Sequence, residues 1–179
     1  CYIKVALVSL LPESVFPMSL TNKAVIITGS TSGIGLGLAH SFAAEGANIL
    51  LNGFGDAALI EKIKSDLAKA GAGKVAYHGA DLRKPAEIRD MVAFAQKEIG
   101  AVDILVNNAG IQFVEAIDVY PEDKWDDIIA INLTGAFHAT KAVLPSMQQR
   151  GWGRVINVAS VHGLVASVNK SAYVAAKHG

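Results

Sequence analysis

Tyr173 and Lys177 are four residues apart, the spacing that puts two side chains on one face of a helix. An ammonium held beside a phenol stabilises the phenolate, and a tyrosine so placed can act as a general acid or base near neutral pH. Ser160 lies upstream of this pair, just after an apolar run, and offers a hydroxyl to a substrate oxygen. Asn132 sits inside a long helix-like stretch, within Ile131-Asn132-Leu133-Thr134-Gly135, where it would hold a water that relays protons to the lysine. Each residue also has an ordinary explanation. Tyr-x-x-x-Lys is common on solvated helix surfaces, and an asparagine inside a helix is usually a surface or packing choice.

A second constellation is Thr28-Gly29-Ser30-Thr31-Ser32-Gly33-Ile34-Gly35, which follows the apolar run 23–27 and precedes a helix-like stretch over 36–45. A glycine-rich turn between strand and helix can cradle a phosphate. Glycine permits the sharp turn and the close approach, and the helix start supplies free N–H groups and partial positive charge. On its own such a turn is as readily structural as functional.

The elements that must position these residues alternate along the chain. Short apolar runs at 23–27, 48–51, 74–78, 104–107 and 154–158 read as strands. The stretches 36–45, 56–70, 85–99, 121–149 and 172–179 read as helices, with Pro85 opening one and Pro145 bending the last turns of another. Short apolar strands separated by helices predict an α/β fold, a Rossmann-type doubly wound parallel sheet with helices on both faces. Ligands in such sheets bind where the strands exit and strand order reverses. The exits here carry Gly79-Ala80-Asp81-Leu82, Asn107-Asn108-Ala109-Gly110-Ile111-Gln112 and Ala159-Ser160-Val161-His162-Gly163.

Composition sets the class. Hydrophobic residues make up 51% of the 179-residue chain and charged residues 18%, which supports a sizeable core and excludes a disordered chain. The formal net charge is zero, and neither a nucleic-acid-binding block nor a basic membrane-surface helix is evident. Cys1 is the only cysteine, so an internal disulfide and a cysteine metal site are excluded; this fits a reducing compartment, and a cytoplasmic location is expected. The apolar stretch 2–11 is too short to span a bilayer. Residues 1–17 are read as an upstream or non-native extension, with one domain over 18–179 beginning at Met18.

Taken together, Thr-Gly-x-x-x-Gly-Ile-Gly at 28–35, Asn-Asn-Ala-Gly at 107–110, Asn132, Ser160 and Tyr-x-x-x-Lys at 173–177 resemble the short-chain dehydrogenase/reductase family. The resemblance runs from about residue 20 to 179. It implies hydride transfer between a nicotinamide cofactor and a carbinol carbon, with the cofactor supplying the hydride chemistry and the protein supplying position and charge. Tyr173 would take the hydroxyl proton, Lys177 would favour the phenolate and hold the nicotinamide ribose, Ser160 would fix the reacting oxygen and Asn132 would support the relay. Gly29, Thr31, Ser32, Gly33, Ile34 and Gly35 would form the cofactor cradle. Phe54 would line its adenosine end, Asp81 and Leu82 would flank the adenine, and Asn108, Ala109 and Gly110 would line the ribose side.

Charge argues for NAD. A 2′-phosphate wants a basic partner and a free ribose hydroxyl an acidic one. Residues 28–37 contain no Lys or Arg, nor does Asn52-Gly53-Phe54-Gly55 at the exit of the second strand. The acidic partner is missing as well, unless Asp56 serves.

Gln112, His162 and Lys170 fall on loops beside the expected reacting centre. Separately, each reads as a common loop residue; together they suit a small carboxylate. With Phe54 in Leu-Asn-Gly-Phe-Gly, this set resembles one branch of the family, the bacterial D-3-hydroxybutyrate dehydrogenases. The resemblance implies NAD-dependent oxidation of (R)-3-hydroxybutyrate to acetoacetate, in a dimer or homotetramer built through the long helices and the last strand. It also implies further strands and a mobile substrate cover beyond Gly179. The chain is therefore expected to be a fragment, inactive alone, with its fifth strand an open hydrophobic edge. Two other expectations compete: a 3-oxoacyl-thioester or small-ketone reductase of the same family that prefers NADP, and a non-catalytic nucleotide-binding fragment.

Overall fold

The computed structural model describes residues 19–179. The expected extension over 1–17 and the domain start at Met18 lie outside the described residues. Five strands form one parallel sheet: β1 (Ala24–Ile27), β2 (Asn48–Asn52), β3 (Val75–His78), β4 (Val102–Asn107) and β5 (Arg154–Asn157), in spatial order β3-β2-β1-β4-β5. The helices are α1 (Gly33–Ala44), α2 (Ala57–Lys69), α3 (Pro85–Glu98), α4 (Glu122–Ile129), α5 (Gly135–Gln149) and α6 (Ser171–His178). The expected Rossmann-type architecture is present.

The central strands β1, β2 and β4 are buried because they are apolar on both faces. Side chains alternate across a strand, so β1 contributes to two cores. Val25 and Ile27 pack with Ile49, Leu51, Ala39, Ala43, Ile63 and Leu67 under α1 and α2. Ala24 and Ile26 pack with Leu50, Leu105, Ile88, Met91, Ala139 and Val143 under α3 and α5. Each fully buried Ile or Leu contributes roughly 1.5–3 kcal/mol. A third, smaller core of Ile128, Ala172 and Ala176 joins α4 to α6, with Phe113, Trp125 and Tyr173 packed against it.

The chain adds β2 and β3 on one side of β1, then crosses to add β4 and β5 on the other. The reversal lies between β1 and β4, where Ile27 pairs with Val106. The two motif-bearing exits, 28–32 and 108–112, therefore leave the sheet side by side.

At the sheet's far edge β5 pairs with β4 and all four of its residues are exposed. The stretch expected as one helix over 121–149 is interrupted: residues Ala130–Thr134 form a π-helical turn between α4 and α5. Such turns recur at functional sites, and this one carries Asn132. Asp56 is spent on structure. Its carboxylate accepts from the Leu59 amide at 2.8 Å and caps α2, which removes it as the acidic ribose partner.

Candidate active site

The exits of β1 and β4 interlock. Thr28 is buried, and its Oγ1 accepts from the amides of Asn108 at 3.0 Å and Ala109 at 3.1 Å. Asn108 Nδ2 donates to the carbonyls of Thr28 at 2.9 Å and Gly29 at 3.0 Å. Gly29 and Gly33 have φ of +62° and +55°, the left-handed region that glycine enters without penalty. A Cβ on Gly29 would lie 2.8 Å from Ala109 Cα, and one on Gly35 would overlap the Gly29 carbonyl and lie 2.5 Å from Asn108 Nδ2. On Gly33 it would meet only open space. The turn thus packs tightly behind and stays open in front. Ser32 caps α1 in an extended conformation without a side-chain hydrogen bond, so its hydroxyl does not occupy the first-turn N–H groups that lack intrahelical partners.

Asn52, at the end of β2, ties a third exit to this pair. Its Nδ2 donates to the carbonyls of His78 and Ala80, both at 3.0 Å, and its Oδ1 accepts from the Gly29 amide at 3.4 Å. Thr31 Oγ1 donates to the Phe54 carbonyl at 2.9 Å, while the Phe54 ring stands exposed at the rim. A cleft of about 490 Å³ opens among these segments. Its lining includes the expected cradle and rim residues from Gly29 to Gly110 except Gly33 and Gly35, together with Ile111 and Ile131. Among the described residues lining it, the one charged group is Asp81. Arg83 grips that carboxylate through Nε and a terminal nitrogen (3.0 and 2.7 Å) and reaches Asp127 of α4 at 3.2 Å. The guanidinium holds the Asp81 carboxyl below its usual range. Glu87 accepts from the Asp81 amide at 2.8 Å.

On the other side of the β4 exit, α6 presents Tyr173 and Lys177. The lysine Nζ lies 5.8 Å from the tyrosine ring centre and donates to the Val158 carbonyl at 2.9 Å. Half-burial pushes its pKa below the usual lysine value. Ser160 Oγ accepts from the His162 amide at 3.2 Å, which leaves its O–H free to donate. The His162 ring stands edge-on to Tyr173, centres 6.0 Å apart. Lys177 and Asn132 share the wall of a hollow of about 650 Å³ between α5, β5 and α6. The Asn132 amide also holds a loop. It clamps Ile111 in both directions, Oδ1 accepting from the Ile111 amide and Nδ2 donating to its carbonyl, each at 2.8 Å.

Of the three residues expected to bind substrate, His162 touches Tyr173. Gln112 follows the clamped Ile111, and Phe113 beside it packs in the same small core as Tyr173. Lys170 is the residue just before α6 and makes no side-chain hydrogen bond to the helix start. The Glu115 amide donates to the Asn169 carbonyl at 2.9 Å, linking the loop that carries Gln112 to the one that carries Lys170.

Sequence reasoning gave no role to the Thr28 and Asn52 side chains and missed the bridge that Arg83 makes from Asp81 to Asp127. Thr28 and Asn52 are polar residues that close apolar strands, and that position was their available signal. Arg83 lies two residues from Asp81 but 44 from Asp127, and nothing local announces that second arm.

The short chain dehydrogenase family model matches residues 23–179. A protein of Cupriavidus necator named D-beta-hydroxybutyrate dehydrogenase is 62% identical over 161 residues, 89% of this chain and 61% of the relative. One of the same name from Rhizobium meliloti is 55% identical, over 88% of this chain and 61% of the relative. A 3-oxoacyl acyl-carrier-protein reductase of Staphylococcus epidermidis is 34% identical over 88% of this chain. The chain thus spans about 61% of the length of the two hydroxybutyrate dehydrogenases.

Proposed function

The chain belongs to the short-chain dehydrogenase/reductase family, and from that premise we propose that the whole protein oxidises (R)-3-hydroxybutyrate to acetoacetate with NAD. The observation that carries the proposal is Tyr173 held between Lys177 and the edge of His162, beside a cleft that suits a dinucleotide. The cleft suits it because its glycine turn is open where a Cβ on Gly33 would project and because Ser32 leaves the α1 amides free. Phosphate groups favour such a helix start. Asp81 as the one charged group lining the cleft among the described residues favours NAD, since a 2′-phosphate would find no cation there.

NAD, when bound, supplies the hydride acceptor. Tyr173 takes the proton of the substrate hydroxyl and returns it in the reverse direction. Lys177, a half-buried ammonium, favours the phenolate. Its remaining N–H groups can hold ribose hydroxyls or a water in the adjoining hollow, whose wall Asn132 shares, so the relay runs through that hollow. Ser160 donates its free O–H to the reacting oxygen. Asn132 fixes Ile111 and thereby Gln112. Gln112, His162 and Lys170 bind the carboxylate, where charge-assisted hydrogen bonds are strongest. The hydroxyl proton leaves through Tyr173 and the carbinol hydride leaves to the cofactor, so the product is the ketone.

The test is NADH formation by the protein expressed at the full length of its relatives, with the S enantiomer, NADP and a 3-hydroxyacyl thioester as controls. Turnover with NAD and the R acid supports the proposal. Preference for NADP and the thioester would replace it with the reductase reading, which the 34%-identical relative represents.

A further inference from the structure

We infer that Asn169 is a positioning residue for the carboxylate pocket, acting through its backbone; this rests on the hydroxybutyrate reading and extends it to a residue outside the motifs. Among the described residues, two non-glycine residues have positive φ, Asn22 and Asn169. Asn169, at +59°, immediately precedes Lys170, whose own φ and ψ of −122° and 35° lead into α6. The chain therefore reverses direction at Asn169 and enters the helix that carries Tyr173. Left-handed backbone disfavours side chains with a Cβ, and asparagine and glycine tolerate it best. A β-branched residue tolerates it worst.

The reversal is also anchored. The Asn169 carbonyl accepts the Glu115 amide at 2.9 Å, and Glu115 turns its own carboxylate onto the Ala116 amide at 2.9 Å. Three residues before Glu115 is Gln112, which follows the Ile111 that Asn132 clamps. One backbone conformation thus sets the departure of Lys170 and, through one hydrogen bond, the spacing to the Gln112 loop. The side chains around this link are exposed: Val114, Val165 and Val168 show between 53% and 82% of their surface. Apolar packing is therefore too thin to hold the two loops in register without it.

The test compares wild type, Asn169→Val, Asn169→Ala, Asn169→Gly and Lys170→Ala in the full-length protein, with thermal unfolding of each. Asn169→Val should raise the KM for (R)-3-hydroxybutyrate by about 5- to 30-fold, as expected for a backbone penalty of this kind. Its KM for NAD and its kcat should change less than about 2-fold. Asn169→Gly should return the KM to within about 2-fold of wild type, because glycine restores the conformation without the side chain. If the valine protein does not fold, the alanine protein carries the comparison. A wild-type KM in Asn169→Val or Asn169→Ala, or equal damage from glycine and valine, would overturn the inference. So would parallel losses in kcat and NAD affinity, which mark a purely structural role. An unchanged KM in Lys170→Ala would remove the lysine that Asn169 is said to position. A wild-type protein inactive on hydroxybutyrate would instead refute the substrate reading itself.

Discussion

Three glycines on the first two turns of α1, two residues apart, should respond to alanine in three different ways. At Gly35 the added methyl overlaps the Gly29 carbonyl and comes within 2.5 Å of Asn108 Nδ2. Backbone on one side and a doubly bonded amide on the other leave no soft neighbour to move. Overpacking of this kind costs about 1–3 kcal/mol. Displacing the Gly29 carbonyl also weakens its bond from Asn108 and the bond of its amide to Asn52, about 1 kcal/mol each. Alanine's better helix propensity returns roughly 0.5–1 kcal/mol. The net loss is about 2–4 kcal/mol, or on the order of 10 °C in Tm for a domain of this size. At Gly33 the methyl meets open space but φ is +55°, so the backbone cost is roughly 1–2 kcal/mol, and the distorted turn would misplace the free amides at the start of α1. Gly37 is exposed, has ordinary helical backbone and nothing near its Cβ; alanine there should stabilise by about 0.5–1 kcal/mol. Calorimetry and an NADH fluorescence titration on the full-length protein read both quantities. Gly35→Ala should lose the most stability together with cofactor, Gly33→Ala a smaller share of stability along with cofactor, and Gly37→Ala neither. A Gly35→Ala protein with wild-type Tm and NADH affinity would refute the interlocked cradle.

Arg83→Met should weaken cofactor binding several-fold and move the acid-unfolding midpoint upward. Arg83 holds the Asp81 carboxyl below its ordinary 3.8, so the stabilisation is present above that value and is lost as pH falls through the folded pKa; an unchanged midpoint would argue against the bridge. Asn132→Ala removes two bonds of 2.8 Å to Ile111, and about 1–2 kcal/mol of local stability with them. Hydrogen exchange at the Ile111 amide should then accelerate by about 10-fold; unaltered exchange would show that the loop is held by something else. Lys177→Met should lower kcat by at least about 100-fold. Burial lowers the Lys177 pKa from 10.5, so its desolvation penalty is present below the folded pKa and fades between that value and 10.5. The stability of wild type relative to Lys177→Met should therefore rise with pH across that window, and a flat difference in alkaline urea titrations would refute the burial effect.

The fold was legible because its signals are local. Each strand is a short apolar run, each helix start or end carries a glycine, proline or cap within a residue or two, and the bounds moved by only one to three positions in the structure. The chemistry-bearing residues were legible for a related reason: strand exits must carry small or polar residues where a ligand approaches. What was not legible is cooperative. Nothing in residues 130–134 distinguishes a π turn from α-helix, since the widened turn is stabilised by what Asn132 does across the gap to Ile111. The capping role of Asp56 was written in its position before Ala57–Lys69, but charge reasoning about the ribose drew attention to its carboxylate first. Arg83 could not be foreseen because its two partners are separated by more than forty residues and meet only when α4 packs beside the β3 exit.

The two halves of the site are built from different materials, and this explains what can vary between relatives. The cofactor half rests on buried groups: Thr28, Asn52 and Asp81 are all under 9% exposed, and each makes two or more bonds to neighbouring backbone or side chains. Changing one leaves a buried partner unsatisfied, at about 1–3 kcal/mol. The proposed substrate half rests on loops over 111–119 and 161–169, where Leu164, Val168 and Ile117 are exposed and, beyond the Asn132 clamp on Ile111, the two loops are linked by a single backbone hydrogen bond from Glu115 to Asn169. Substitutions there cost little, so substrate preference can change while the cradle stays fixed. A reductase 34% identical over 88% of this chain is consistent with that division. The same asymmetry predicts that local opening begins in the substrate loops, with amides of 111–119 and 161–169 exchanging far faster than those of β1 and β4. Bound cofactor should protect the cradle and leave those loops nearly unchanged, whereas a carboxylate that engages Gln112 and Lys170 should protect both loops at once.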